Sequence, residues 1–257
     1  MLLTIDCGNT NTVFAVYDGE TPRGEWRIAT DARRTADEYA VWLVQLMSLR
    51  DLRREQDDGA VIATVVPGAL FPLKTLCRQY FDADPLVVGE PGVELGIKVL
   101  LDNPSEVGAD RLVNAVAAHA RYPGDLILID FGTATTFDVV NAKGDYVGGA
   151  IAPGINLSIE ALHMAAAQLP RIGVKKPPSV IGKSTVPAMQ SGVYWGYVGL
   201  IEGLVARMTG EMGGKPTVIA TGGLAPLFMD ATPIINHLDA DLTVRGLVAI
   251  WRKNKAI

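Results

Sequence analysis

The sequence predicts an α/β protein built as a duplication, with a mixed sheet in each half. Two stretches carry that expectation. Leu126 to Val140 reads LILIDFGTATTFDVV: apolar β-formers end in Asp130, a glycine turn with Thr133, Thr135 and Thr136 follows, and then a second β-like run. Leu2 to Asp18 reads LLTIDCGNTNTVFAVYD, and setting Asp6 on Asp130 also sets Ile5 on Ile129, Gly8 on Gly132, Thr12 on Thr136 and Val16 on Val140. One Asp-x-Gly before a turn is ordinary hairpin punctuation. Two copies, one opening each half, indicate a repeated domain with a cleft between the copies. Such a hairpin suits a nucleotide phosphate and its metal. Turn N–H groups and hydroxyls can face phosphate oxygens while the carboxylate holds a hydrated cation.

In the first half, Pro22 to Thr30 alternates as a third strand. Thr35 and Glu38 form a capping box, opening a helix whose apolar face carries Tyr39, Trp42, Leu43, Leu46 and Met47. The charged tract Arg50 to Asp58 reads as a solvated helix end and loop. Ala60 to Val66 is a buried strand, Ala69 to Phe81 a helix and Pro85 to Val88 another strand. Adjacent strands followed by alternating helices and strands fit the ribonuclease-H-like half of an actin-type fold. A Rossmann unit would instead run its first strand straight into a helix. Beyond the Asp102-Asn-Pro104 turn, Ser105 to Arg111 runs into an apolar helix reaching about His119. Asp110 near a helix start is favoured by the helix dipole, whereas Arg111 is disfavoured there by about 1 kcal/mol at most. Arg111 is therefore either an ion-pair partner of Asp110 or Glu106, or a cation awaiting an anionic ligand with Asp110 as a base beside it. The domain boundary is placed within or just after this helix, around Ala115 to Gly124, giving domains 1–117 and 118–257.

The second half repeats the plan. Asp145 to Ala152 is its third strand, Ile155 to Leu169 a helix stopped by Pro170, and Arg171 to Pro178 an exposed basic loop. Gly182-Lys-Ser-Thr185 resembles the tail of a P-loop, but Pro177 stands where the first glycine belongs and no strand precedes it, so a plain loop is expected. Ala188 to Met208 reads as a helix with Gly192, Gly196, Gly199 and Gly203 along one side. Each glycine costs roughly 0.8–1.0 kcal/mol against alanine, which points to a close internal contact or a subunit interface. Thr217 to Thr221 is a strand, followed by Gly222-Gly223 and a further helix. That strand–glycine–helix junction serves either close approach to a nucleotide or a simple left-handed turn. Asp241 to Trp251 is the closing helix.

Composition bounds the function. The chain has 257 residues, 49% hydrophobic and 20% charged, as expected of a globular protein with a real core. A net charge of −5 argues against nucleic acid as the main partner. Cys7 and Cys77 show no metal spacing and no disulfide framework, so a reducing cytoplasm is expected and Cys7 reads as a small core residue. Neither a signal peptide nor an apolar run of about 18 residues is evident, and no membrane association is expected.

The combination IDCGNTNT, DNPSEVGADR, IDFGTATTFDVV, GGAIAPGINLSIEAL, AAQLPRI, AMQSGVYWG and ATGG, in that order, resembles the type III pantothenate kinases of the actin-like ATPase superfamily over essentially the full length. The resemblance implies ATP-dependent phosphorylation of the primary hydroxyl of pantothenate, the first committed step toward coenzyme A. It implies that Asp6, Cys7, Gly8, Asn9, Thr10, Asn11, Thr12 and Val13 form the ATP phosphate hairpin, with Asp6 holding Mg²⁺ through water and Thr133 a further ATP contact. Gly108, Ala109, Asp110, Arg111 and Thr185 would meet pantothenate, with Asp110 as the proton acceptor. Asp130 would bind a monovalent cation, potassium or ammonium, and the protein would act as a homodimer. One position departs: Leu101 stands where the family usually has a tyrosine lining the pantothenate pocket. The rival readings are another actin-like small-molecule kinase or phosphatase, and a non-catalytic accessory regulator retaining the fold. The first would need a different acceptor motif in place of GADR, and the second should have lost Asp6, Asp110 or Asp130.

Overall fold

The computed structural model describes residues 1–53, 59–165 and 169–255. The chain forms two compact units, Met1–Ala120 with Asp241–Ile257, and Arg121–Ala240. In the first, β1 (Leu2–Cys7), β2 (Asn11–Asp18), β3 (Thr21–Ala29), β4 (Gly59–Thr64) and β5 (Leu86–Val87) make one sheet in the order β3-β2-β1-β4-β5. In the second, β6 (Leu126–Phe131), β7 (Ala134–Val140), β8 (Tyr146–Pro153), β9 (Thr217–Thr221) and β10 (His237–Leu238) run β10-β9-β6-β7-β8, the same order read from the other edge. In both, the first hairpin and third strand pair antiparallel and the remaining strands parallel. The duplication is therefore one of topology, and the expected fold class holds: two mixed sheets with helices, as in the actin-like ATPases.

β1 is buried along most of its length because both of its faces are covered. Leu3, Ile5 and Cys7 enter a core with Tyr39, Leu43 and Met47 of α1 (Ala36–Ser48) and Leu73 and Leu76 of α2 (Pro67–Tyr80). Leu2 enters the opposite core with Val113 and Val116 of α3 (Ala109–Arg121) and Leu247 and Ile250 of α7 (Leu242–Lys255). The capping box of α1 forms: the Glu38 N–H donates to Thr35 Oγ1 at 3.3 Å, and the Thr35 N–H donates to Glu38 Oε2 at 2.8 Å. Proline opens α2 at Pro67, where its missing N–H costs nothing. In the second unit, one core joins Ile127, Ile129 and Phe137 to Tyr197, Val198 and Ile201 of α5 (Thr185–Met212) and Phe228 of α6 (Ala225–Met229). The remaining helix is α4 (Ile155–Ala165).

Several expectations change in detail. Pro104–Glu106, within the stretch that leads into the helix of Asp110, is a separate 3₁₀ turn, and α3 begins at Ala109, which puts Asp110 near the helix start as expected. α5 begins at Thr185, three residues before the expected Ala188, so Thr185 is helical and not in a loop. The units part at Ala120/Arg121, and α7 is grouped with the first unit. Its apolar face carries Leu247, Val248 and Ile250 into the α3 core, a pairing no local pattern reveals. β10, at two residues and exposed, lies below the reach of a periodicity argument. Residues 54–58 of the charged tract and 166–168 of the expected 155–169 helix lie outside the described residues.

The two hairpins are also not equal in length. Cys7 pairs with Thr12, leaving Gly8 to Asn11 as the turn, whereas Phe131 pairs with Thr135, leaving Gly132 to Ala134. Thr12 thus corresponds to Thr135, and Val16 to Val139, because Leu3 pairs with Val16 and Ile127 with Val139. The gapless match of Thr12 with Thr136 slips by one residue across the turn.

α3 and α7 touch backbone to side-chain position: a Cβ on Gly246 would lie 2.2 Å from the Val113 carbonyl oxygen. Gly246→Ala should destabilise the fold by about 1–3 kcal/mol through overpacking, although alanine is the better helix former by roughly 0.8–1.0 kcal/mol. Gly210→Ala in α5, with nothing within 4 Å of the added carbon, should instead be neutral or stabilising. Urea denaturation of both variants makes the comparison, and a Gly246→Ala protein as stable as wild type would contradict the packing described.

Candidate functional site

The first hairpin carries its carboxylate, Asp6, at the carboxyl end of β1, between Val13 of β2 and Ala63 of β4. The Gly8 N–H donates to the Asn11 carbonyl at 3.0 Å and closes the turn, leaving Asn9, Thr10 and Asn11 exposed. Cys7, Thr12 and Val13 have buried side chains, so within 6–13 a ligand can meet the carboxylate, the turn amides and the polar side chains at the tip. Cys7 is a core residue, 3.3 Å from the Thr12 hydroxyl. A residue that sequence reasoning missed, Thr30, holds the turn: its N–H donates to the Thr10 carbonyl at 3.0 Å, and its hydroxyl to the Gly8 carbonyl at 2.7 Å.

The start of α3 lies at the same end of the sheet. The Val65 N–H, just past β4, donates to the Cys7 carbonyl at 3.2 Å, and a Cβ on Gly108 would lie 3.3 Å from Val65 Cγ1. The Gly108 carbonyl accepts the N–H groups of Arg111 and Leu112, and so forms the first turn of the helix. Asp110 Oδ1 accepts the Arg111 N–H at 2.8 Å. Burial pushes the Asp110 carboxyl above its ordinary value of 3.8, outweighing that hydrogen bond and the Arg111 charge, both of which pull it down. The same Oδ1 would stand 2.5 Å from a Cβ on Gly108, so glycine leaves the room this carboxylate occupies. Open α/β sheets bind ligands outside the carboxyl ends of their strands, and Asp6, the turn and Asp110 gather there. Leu101 is half-buried in the irregular stretch before α3.

In the second unit, Asp130 stands at the carboxyl end of β6, paired with Thr136 and Thr221. Gly222 backs it with a positive φ of +91°, and a Cβ there would fall 2.6 Å from Asp130 Oδ1 and 2.7 Å from Phe131 N. Of the two readings of Gly222-Gly223, the left-handed turn is thus present, and the space it keeps is beside a carboxylate. Thr133 is exposed, and its carbonyl accepts the Gly154 N–H at 3.1 Å. Thr185 is the first residue of α5, following Ser184 as its N-cap.

Among the described residues no three His, Cys, Asp or Glu side chains converge as a metal cluster. The donor set at Asp6 is a single carboxylate beside turn amides, which fits Mg²⁺ that keeps its waters and is shared with substrate phosphates. The donor set at Asp130 is one carboxylate with threonine and main-chain oxygens nearby, beside space that a Cβ would fill. That balance of one charge and neutral oxygens fits a monovalent cation.

The family model for type III pantothenate kinase matches residues 2–207. The chain is 67% identical over 254 residues to the type III pantothenate kinase of Paramagnetospirillum magneticum, covering 99% of this chain and 98% of that one. To that of Rhodospirillum rubrum it is 65% identical over 255 residues, covering 99% of both. Among solved structures, a Baf family transcriptional activator from Campylobacter jejuni superposes with a TM-score of 0.65 at 17% identity, covering 99% of this chain and 100% of that chain. The activator of 2-hydroxyisocaproyl-CoA dehydratase from Clostridium difficile, with bound ADPNP, gives 0.56 at 15% identity, covering 99% and 96%. At such identities the structures establish the fold alone.

The elevated Asp110 has a consequence for stability. Because its folded-state pKa is raised, ionising it costs stability as pH climbs from 3.8 through the raised value, and the full cost persists above. Asp110→Asn removes that cost. The variant should melt at or slightly above the wild-type temperature at pH 7.5, with the difference fading toward pH 3.5. Melting curves at the two pH values check the sign, and a variant less stable at pH 7.5 than at pH 3.5, relative to wild type, would contradict it.

Proposed function

This chain belongs to the type III pantothenate kinase family, and from that premise we propose how its own residues carry the ATP-dependent phosphorylation of pantothenate, the first step of coenzyme A biosynthesis. Asp110 is the general base. It accepts the proton of the primary hydroxyl as that oxygen bonds to the γ-phosphorus; the bond from phosphorus to the β,γ-bridging oxygen breaks, and ADP leaves. The observation that carries this reading is the half-buried carboxyl of Asp110 at the start of α3, lifted by desolvation toward the pH at which it must work. The Gly8–Asn11 turn receives the phosphates with its amides, and Thr133 adds a further ATP contact. Bound Mg²⁺, anchored by Asp6 through water, would neutralise charge on the phosphates. Gly108, Ala109 and Thr185 line the pantothenate side, and Arg111 answers its carboxylate in the bidentate geometry that guanidinium favours. Leu101 offers no hydroxyl, so this pocket forgoes one hydrogen bond worth about 0.5–1.5 kcal/mol. All three carboxylates, Asp6, Asp110 and Asp130, are present, which supports an active kinase over a regulator that only keeps the fold.

Asp130 would hold a monovalent cation, potassium or ammonium, whose charge would offset repulsion among the anions. The protein works as a homodimer in the cytoplasm. Supporting the dimer, Cβ positions on Gly192, Gly196 and Gly199 of α5 meet nothing within 4 Å among the described residues, so no internal contact accounts for the glycines. The same unit exposes Ile151, Leu157 and Met164. Supporting the compartment, neither cysteine is in a disulfide and both are buried, and no helix among the described residues is long and apolar enough to cross a membrane.

A coupled ADP-release assay with pantothenate tests these roles. Wild type should turn over faster in KCl than in NaCl at constant ionic strength, since plain screening is then equal, and Asp130→Asn should lose the difference. Asp110→Asn should lower kcat by about 10²–10⁴-fold. Equal rates in the two salts would remove the cation from Asp130, and an Asp110→Asn enzyme keeping more than about a tenth of its kcat would remove the base.

A further inference from the structure

We infer that Thr30 is a positioning residue for nucleotide binding, acting through the peptide planes of the Gly8–Asn11 turn. The inference rests on the reading of that turn as the phosphate site. Thr30 follows β3, whose last residue, Ala29, pairs with Asn11. Its N–H donates to the Thr10 carbonyl at 3.0 Å and its hydroxyl to the Gly8 carbonyl at 2.7 Å, so one residue holds two carbonyls of the turn. A carbonyl can only accept, which fixes the direction of the side-chain bond. The Thr30 oxygen is then free to accept from the buried Thr12 hydroxyl 2.9 Å away. There are no cis peptides in the described chain, and in a trans peptide the C=O and the following N–H point to opposite edges. Holding the Gly8 carbonyl on Thr30 therefore aims the Asn9 N–H away from β3. Holding the Thr10 carbonyl does the same for the Asn11 N–H. Two amides separated by one residue, pointing the same way at a strand end beside a carboxylate, form the kind of concave donor pair that receives phosphate oxygens.

The second unit supplies an internal control. There the corresponding main-chain bond exists, from the Gly154 N–H to the Thr133 carbonyl at 3.1 Å. Yet the residue is glycine, and a Cβ on it would fall 2.2 Å from the Thr133 oxygen and 2.7 Å from the Gly132 oxygen. The second turn, one residue shorter, cannot accommodate a side-chain hydroxyl at this place. The counterpart of Thr12, Thr135, instead meets the Tyr197 hydroxyl, which donates to the Pro153 carbonyl at 3.0 Å. Among the described residues, the first hairpin has its leading carbonyl fixed by a side chain and the second does not, in keeping with the different tasks proposed for the two copies.

The test compares Thr30→Val, which keeps the shape and removes the hydroxyl, with Thr30→Ser, which keeps the hydroxyl. Binding of Mg·ATP is measured by calorimetry, and KM for each substrate by ADP release. Thr30→Val should weaken Mg·ATP binding and raise the KM for ATP by about three- to tenfold, the worth of one hydrogen bond. The KM for pantothenate should stay unchanged, and Thr30→Ser should restore ATP binding to within about twofold of wild type. A purely structural role would move both KM values together and would not be rescued by serine. Should Thr30→Val fail to fold by circular dichroism, Thr30→Ala takes its place in the comparison. ATP binding unchanged in the hydroxyl-free variant, serine no better than valine, or both KM values rising in step would each overturn the inference. Asp6→Ala separates this outcome from failure of the premise. If it weakens Mg·ATP binding while Thr30→Val does not, Thr30 alone is dismissed; if it binds as tightly as wild type, the hairpin is not the phosphate site and the inference falls with it.

Discussion

β1 is hydrogen-bonded along both edges, antiparallel to β2 and parallel to β4, over the same six residues. That double pairing leaves the strand no freedom of register, because a slip of one residue would turn Leu3, Ile5 and Cys7 out of the core they share with α1 and α2. Asp6 is consequently delivered to the end of the sheet by the packing of its neighbours and not by any contact of its own. The turn after it inherits the same fixity. Its carbonyls are held by Thr30, its closing bond joins Gly8 to Asn11, and the strand next door sends Val65 back to Cys7. Helix α3 is in turn pinned to the opposite face of this sheet by Val113 and Val116, and by the close approach of Gly246. Asp110 heads that helix, so the proposed base and the turn are referred to one frame within one unit.

Much of this was legible in the sequence, for reasons that can be named. The duplication showed because a carboxylate before a glycine turn is a local feature, and it recurs. The capping box at Thr35 and Glu38 showed because its partners lie three residues apart. Asp110 drew notice through the cation beside it, because Arg111 is mildly disfavoured in the first turn of a helix. What stayed hidden depends on residues far apart in the chain. Thr30 is an ordinary threonine after a strand until Thr10 and Gly8 are seen beside it. Gly222 reads as a turn glycine, and its service to Asp130 emerges only when β9 is laid against β6. The return of α7 to the first unit is of the same kind. The one-residue slip between Thr136 and Thr135 has another cause: matching sequences without a gap assumes equal turns, and hydrogen-bond register does not.

Duplication followed by divergence explains why two similar hairpins would serve different ligands. The first turn is longer by a residue, exposes two amide side chains, Asn9 and Asn11, and has its leading carbonyl tied by a hydroxyl. The second is shorter, backed by Gly154 and Gly222, and crowded by main chain where the first has room for a side chain. A phosphate chain asks for several aligned N–H donors, and a monovalent cation for oxygens and little net charge. The longer turn meets the first demand, and the carboxylate with its threonine neighbours the second.

The central claim is that ATP docks on the turn of the first unit, and amide hydrogen exchange reads that turn directly. With saturating Mg·ATP and no pantothenate, the amides of residues 8–12 should exchange more slowly than in the free protein. Those of the β1 core should barely change, being protected already by pairing on both edges. Exchange at 8–12 that is identical with and without bound Mg·ATP, while protection develops elsewhere in the chain, would contradict the account.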